Sequence, residues 1–100
     1  MSTLDAGERV AFQKAMNDGH SAAWDQEWDK AVSAYRRALQ EFPDHPKALN
    51  SLGLALYQLG HFEEALQIYL SVVRLSPDDP LPTEKVSQLS ERIGDLKTAV

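Results

Sequence analysis

Apolar residues in the middle of the chain recur with the period of an amphipathic helix. The first group is a stripe of leucines separated by three, four and three residues: Leu49, Leu52, Leu56 and Leu59. Such spacing places the side chains on one face of a helix. Gly60-His61 interrupts the pattern, and a second stripe with the same period runs from Phe62 to Val73. The pattern predicts two amphipathic helices joined by a tight turn, which form an antiparallel hairpin.

This two-helix pattern returns with a constant period of 34 residues. A shift by 34 positions superimposes residues of the same or a similar type: Gly19 on Gly53, Trp28 on Phe62, Ala31 on Ala65, Tyr35 on Tyr69 and Pro43 on Pro77. A further shift places Gly60 on Gly94 and Phe62 on Leu96. A constant period over three copies is typical of a repeat protein whose hairpins stack on one another.

The repeat divides the chain into an N-terminal extension and three units. Residues 1–11 lead into the first helix, 12–45 and 46–79 form two complete units, and 80–100 form a partial third unit. Prolines separate the units at Pro43–Pro46 and at Pro77–Pro80. Proline ends a preceding helix and suits the first turn of the next one, so each group marks a boundary.

The second unit resembles the tetratricopeptide repeat, and the resemblance covers nearly the whole chain. The residues that carry it follow in this order: Leu49-x2-Leu52-Gly53-x2-Leu56, Ala65-x3-Tyr69 and Pro77. Leu replaces the usual Trp and Tyr of the family, and the other two units have Asp18-Gly19 and Val86-Ser87 in place of Leu-Gly. The resemblance implies an all-α fold, a right-handed α-α superhelix of stacked helical hairpins with about two and a half units and five helices.

The matched positions are predicted to be structural. They are Gly19, Trp28, Ala31, Tyr35, Pro43, Leu52, Gly53, Phe62, Ala65, Tyr69 and Pro77. A glycine within a helix costs up to about 1 kcal/mol, so Gly53 is expected to be small because the two helices of its hairpin cross closely there.

The last residues match only the beginning of a second helix. The stretch from Gly94 to Val100 corresponds to that from Gly60 to Leu66, so we expect a turn at Gly94-Asp95 and a second helix that stops soon after Leu96. So short a helix is marginal in water, and residues 96–100 are expected to fray. The favoured interpretation is that the chain was cut from a longer protein. The alternative is end-to-end self-association that covers the open C-terminal end.

Composition and charge exclude several classes of partner and site. The net charge of −5 and the lack of a basic run argue against nucleic acid and against an anionic membrane. The most apolar stretch, Leu52–Leu59, is far shorter than the roughly 18 residues of a membrane span. The chain has no cysteine, which fits a reducing compartment. These features predict a cytoplasmic protein.

No set of residues predicts catalysis. The histidines at 20, 45 and 61 lack the spacing of a helical zinc pair, and no thiolate is available. The glycines are isolated, so a phosphate-binding loop is not predicted either. We therefore expect no enzyme activity, no metal and no cofactor.

A second stripe on the first helix of each unit is the candidate binding face. The resemblance implies that such stripes line a concave groove that holds the ligand. The predicted partner-binding residues are Met16, His20, Trp24, Asn50, Leu54, Tyr57, Gln58, Gln88 and Glu91. Trp24 is the expected main anchor, and its alternative is packing against the N-terminal segment or the first hairpin turn. For Leu54 and Tyr57 the alternative is contact between neighbouring helices.

These features favour a protein-interaction module, such as a scaffold or adaptor, that binds a peptide or partner segment. The alternatives are a regulatory or substrate-presenting segment of a larger enzyme and a self-assembly unit. The family's clamp for acidic chaperone tails is not expected. Of the corresponding residues only Lys85 is basic, the others being Met16, His20, Ser51 and Leu81.

Overall fold

The computed structural model describes residues 3–98 and contains five α-helices in that range. They are α1 (Thr3–Trp24), α2 (Trp28–Glu41), α3 (Pro46–Gln58), α4 (Phe62–Leu75) and α5 (Pro80–Thr98). Each helix packs against the one before it and the one after it, so α1–α2 and α3–α4 are hairpins and α5 covers α4. The predicted all-α fold of stacked hairpins is confirmed.

The ends of the helices lie where local signals predict them. Pro46 and Pro80 are the first residues of α3 and α5, where the missing amide hydrogen of proline is not needed. The carboxylate of Asp79 accepts a hydrogen bond of 3.1 Å from the backbone N–H of Leu81, and so caps α5. The predicted extension 1–11 is helical from Thr3 onwards and continuous with the first unit, while residues 1 and 2 lie outside the described range.

The third unit differs from the prediction, because α5 is continuous from Pro80 to Thr98. The turn predicted at Gly94-Asp95 is wrong. The corresponding Gly60 has a left-handed backbone with φ of +82°, and Phe62 after it packs edge to face on Tyr57. A helical glycine costs only about 1 kcal/mol, less than the helical hydrogen bonds that a turn without a packed second helix would give up. Fraying was predicted for residues 96–100. Residues 96–98 belong to α5, and residues 99 and 100 lie outside the described part of the chain.

The two hairpin turns have the same backbone and different residues. Gly60 follows α3 and Gln26 follows α1, and both have positive φ, of +82° and +60°. In each turn the next amide reaches back over five residues, from His61 to the Leu56 carbonyl (2.9 Å) and from Glu27 to the Ala22 carbonyl (2.8 Å). This is the glycine-type helix end, so Gln26 is strained where glycine would not be.

A pair of opposite substitutions tests this strain. Gln26→Gly is expected to raise the free energy of unfolding by up to about 1 kcal/mol, and Gly60→Gln to lower it by about 1 kcal/mol. A Cβ atom at residue 60 would meet nothing within 4 Å, so the loss would come from the backbone alone. Thermal unfolding followed by circular dichroism would measure both, and equal melting temperatures for the two variants would contradict the left-handed geometry.

The core lies between the helices of each hairpin and between neighbouring hairpins. Its buried side chains come from all five helices and include Met16, Tyr35, Leu52, Leu56, Tyr69 and Leu89. Small residues also belong to this core, because Ala31, Ala38, Ala48 and Ala65 are fully buried. Among the predicted structural positions, Trp28 and Phe62 are half-buried against this core, and Pro43 and Pro77 are exposed after the ends of α2 and α4.

Two glycines let tyrosine rings approach the first helix of each hairpin. A Cβ atom on Gly53 would lie 2.8 Å from Cε2 of Tyr69, and one on Gly19 would overlap the ring of Tyr35. These two pairs are related by the 34-residue shift. The small residue therefore makes room for a ring, and the rings of Tyr35 and Tyr69 occupy equivalent places in the two hairpins.

Candidate partner-binding groove

Two clefts lie side by side along the first helices of the three units. The α1–α3 cleft has a volume of about 370 Å³, and its lining is His20, Ala23, Trp24, Trp28, Tyr35, Ser51 and Leu54. The α3–α5 cleft has a volume of about 350 Å³, and its lining is Asn50, Ser51, Leu54, Tyr69, Asp79, Leu81, Pro82 and Lys85. Ser51 and Leu54 border both clefts, which therefore form one continuous surface, here called the inner groove.

Three large apolar side chains in the inner groove are exposed to solvent. Trp24 on α1 is 89% exposed, Leu54 on α3 is 45% exposed and Leu81 on α5 is 65% exposed. The first helix of each unit contributes one of them. A row of exposed apolar side chains in a concave surface is typical of a site that another molecule covers.

The floor of the groove is made of two buried tyrosines. The hydroxyl of Tyr35 shares a hydrogen bond of 2.8 Å with Nδ1 of His20. Burial raises the pKa of Tyr35 above its usual value of 10.0, and the neighbouring Ser51 side chain acts in the opposite direction. Burial likewise raises the pKa of Tyr69. Both phenols are therefore uncharged at neutral pH, and their hydroxyls act as hydrogen-bonding groups.

The predicted binding residues do not all line the groove. His20, Trp24, Asn50 and Leu54 do so. Met16 does not, because its side chain is only 2% exposed and belongs to the core formed with α2 and α3. This placement corrects the prediction from spacing alone: an unbranched thioether fills internal space where the equivalent Asn50 stays half-buried.

The remaining predicted residues lie beyond the two clefts. Gln58 and Glu91 are exposed, and Gln88 donates a hydrogen bond of 3.4 Å to Glu84 on its own helix. Tyr57 is half-buried, with its ring centroid 5.3 Å from that of Phe62. The contact between neighbouring helices that was the alternative for Tyr57 is thus present.

Spacing did not reveal the residues at the floor of the groove. Tyr35 and Tyr69 were predicted only as structural positions, because their periodicity puts them on the buried face of the second helix of each hairpin. They reach the groove through the gaps left by Gly19 and Gly53. The shared 34-residue spacing of each glycine and tyrosine is the signal that could have identified them.

No group of three or more His, Cys, Asp or Glu side chains between residues 3 and 98 could hold a metal ion. None of the helices in this range is long and apolar enough to cross a membrane.

Nearly the whole chain is similar to a small part of much longer proteins. "Cellulose synthase operon protein C" of Pseudomonas fluorescens (strain SBW25) is 35% identical over 114 aligned positions, which cover 97% of this chain and 9% of that protein. "Tetratricopeptide repeat protein 8" of Homo sapiens is 28% identical over 95 positions, which cover 95% of this chain and 18% of that protein. The chain thus spans less than a fifth of either relative.

Two solved structures share the fold. The C-terminal TPR-containing domain of a putative FK506-binding protein of Plasmodium falciparum has a TM-score of 0.82 at 19% identity, covering 95% of this chain and 63% of that one. The TPR2B domain of yeast Sti1, in a complex with pHsp70, has a TM-score of 0.78 at 18% identity, covering 90% and 72%.

A family model agrees with the repeat, the helical hairpins and these structural neighbours. The model of the tetratricopeptide repeat matches residues 19–80, which is more than half of the chain and runs from the end of α1 through the whole of α2, α3 and α4. The chain therefore belongs to the tetratricopeptide repeat family.

Proposed function

We propose that this chain is a protein-interaction module that binds a segment of a partner protein in the inner groove. One observation carries the proposal: Trp24, Leu54 and Leu81 are exposed in one groove, one on the first helix of each unit. Folds of this family generally serve as protein-interaction modules, and the Sti1 domain was solved in a complex with pHsp70.

The exposure of Trp24 indicates how such a segment would gain affinity. A tryptophan presents about 150–250 Å² of surface, and covering it is worth roughly 4–6 kcal/mol before the costs of association. Tryptophan is also enriched among the residues that dominate binding energy at protein interfaces. The best-fitting ligand is a peptide segment with one or two apolar side chains that pack against Trp24, Leu54 and Leu81.

The proposal does not include an acidic chaperone tail. Such a tail needs several cations along the groove, and among the described residues that line the two clefts Lys85 is the only lysine or arginine. Tyr35 and Tyr69 at the floor supply no positive charge, since a phenol is uncharged at neutral pH and burial raises their pKa values further. The groove therefore favours apolar anchors with hydrogen-bonding groups.

A role as a regulatory or substrate-presenting segment of an enzyme uses the same groove, and the sequence that follows Val100 in the gene would decide it. End-to-end self-association stays a prediction, which the mass in solution at two concentrations would test. A cytoplasmic location is part of the proposal, because a chain without cysteine suits a reducing compartment.

A peptide selection with matched variants tests the proposed function. The immobilised chain is presented with a phage-displayed library of random dodecapeptides, and the selected peptides are synthesised with a fluorophore. Trp24→Ala with Leu54→Ala is expected to weaken their binding more than about 30-fold, as truncation of dominant interface residues does. Fluorescence anisotropy measures the dissociation constant, and circular dichroism checks that the variant keeps its helices.

Leu75→Ala is the control for this experiment. Leu75 is 43% exposed, close to the 45% of Leu54, but it lies at the end of α4 and lines neither cleft. The control is expected to bind the peptides as the parent does. A library that yields no binder dependent on Trp24 and Leu54, or equal losses in the control, would refute the groove as the binding site.

A further inference from the structure

The side chain of Arg92 is held by aromatic rings at the end of the groove-lining stripe of α5. Its guanidinium carbon lies 5.0 Å from the ring centroid of Phe62 and 5.9 Å from that of Tyr57. The two rings meet edge to face, with their centroids 5.3 Å apart. Side chains of α3, α4 and α5 thus converge on one guanidinium.

The ion pairs of the described residues leave this guanidinium without a carboxylate. Among the described residues, Arg36 pairs with Glu64 and Arg37 with Asp18, whereas no carboxylate of this part of the chain pairs with Arg92. Cation–π contact uses the face of the guanidinium and leaves its N–H donors at the edge. Arg92 is exposed, so these donors are accessible.

Arg92 continues the surface that lines the inner groove. On α5 it follows Leu81 and Lys85 by 11 and 7 residues, spacings that keep all three on one helix face. On the 34-residue repeat it occupies the position of Trp24, which lines the α1–α3 cleft. A rise of 1.5 Å per residue places the Cα atom of Arg92 about 10 Å beyond that of Lys85 and about 16 Å beyond that of Leu81.

We propose that Arg92 binds the carboxylate of an Asp or Glu side chain of the partner segment, and so adds charge specificity to the apolar groove. This inference rests on the proposed function. The planar edge of a guanidinium matches a carboxylate with two parallel hydrogen bonds, and a side chain already ordered by two rings loses less freedom on binding. An extended segment rises about 3.3 Å per residue, so the acidic residue should lie about five positions from the apolar residue that packs against Leu81.

The charge of the whole chain limits what the acidic group can be. The net charge of −5 repels a run of acidic residues, and Glu91 is the neighbour of Arg92 in sequence. At physiological ionic strength, salt screens most of the repulsion between charges that lie more than about 8 Å apart. A single carboxylate is therefore repelled only weakly by the net charge of the chain. One Asp or Glu beside an apolar anchor therefore fits better than an acidic tail.

The test extends the selection from the dodecapeptide library. These peptides are fused to the phage coat protein at their C-terminus, so any carboxylate selected is that of a side chain. The expected peptides carry an Asp or Glu about five positions from an apolar residue. Replacing that acid by its amide should weaken binding to the parent about 10- to 100-fold, the range of charge-assisted hydrogen bonds.

Substitutions in the chain then locate the interaction. Arg92→Gln should lose the same factor and become indifferent to the amide replacement, within about twofold, whereas Arg92→Lys should fall between the two. Arg74→Gln is the matched control, because Arg74 bonds Ser71 of its own helix α4 and lines neither cleft. Circular dichroism and thermal unfolding check that loss of the ring contacts leaves the fold intact.

The outcomes separate the inference from the function on which it rests. Peptides that depend on Trp24 and Leu54 but carry no acid, or whose acid still matters in Arg92→Gln, overturn the role of Arg92 and leave the proposed function standing. A library without any Trp24- and Leu54-dependent peptide overturns both.

Discussion

Replacing Gly53 with leucine is expected to lower the free energy of unfolding by at least about 3 kcal/mol. The Cβ atom alone would lie 2.8 Å from both Cε2 and Cζ of Tyr69 and 3.2 Å from Cδ2. The ring is 5% exposed and borders the α3–α5 cleft, so relief of the clash would push it out of its place in the core. The insertion of extra methylene groups into a packed core already costs about 1–3 kcal/mol. Leucine adds three further carbon atoms beyond the clashing Cβ atom.

The control for this substitution is Gly94→Leu. Gly94 lies within α5, and a Cβ atom there would meet nothing within 4 Å. Leucine has the better helix propensity, so this variant is expected to gain up to about 1 kcal/mol. In a domain of this size 1 kcal/mol shifts the melting temperature by about 4–8 °C, which differential scanning calorimetry resolves. If Gly53→Leu had the same melting temperature as the parent, the close approach of Tyr69 to α3 would be disproved.

The two tryptophans are expected to respond to truncation in opposite ways. Trp28 begins α2 and packs half-buried against the core, so Trp28→Ala should cost about 3 kcal/mol, the lower end for a tryptophan in a core. Trp24 is 89% exposed, so Trp24→Ala should change stability by less than about 0.5 kcal/mol. Urea unfolding followed by circular dichroism at 222 nm compares them without relying on indole fluorescence.

This pair also separates stability from binding. Trp24→Ala should keep its stability and lose affinity for the selected peptides, because its indole lies at the surface of the inner groove. A large loss of stability in Trp24→Ala together with a small one in Trp28→Ala would show that the first unit is aligned incorrectly on the repeat.

Local pattern was sufficient to predict the helices and the order in which they pack. The leucine stripe from Leu49 to Leu59 and the prolines at the unit boundaries act within a few residues, so they specify α3 and its neighbours without reference to the rest of the fold. The 34-residue period then implies that hairpins of similar structure stack on one another, since each hairpin has an apolar face that it cannot bury alone.

Local pattern failed where two backbone states are close in free energy. Gly94 repeats Gly60 in sequence, yet one continues a helix and the other ends it. A glycine permits both states, and the choice depends on whether a following helix packs back, as Phe62 does on Tyr57. Gln26 shows the converse, because it adopts the left-handed turn that its own side chain disfavours.

By itself, the sequence determined the helical repeat, the hairpin boundaries and the membership of the family, because these depend on periodicity and on the backbone preferences of proline and glycine. Only the tertiary structure decided which side chains line the groove. In that structure Met16 is buried in the core, and Tyr35 and Tyr69 lie at the floor of the inner groove. The guanidinium of Arg92 stacks on the rings of Tyr57 and Phe62. These placements depend on how neighbouring helices fill space, which the spacing of residues along one helix does not specify.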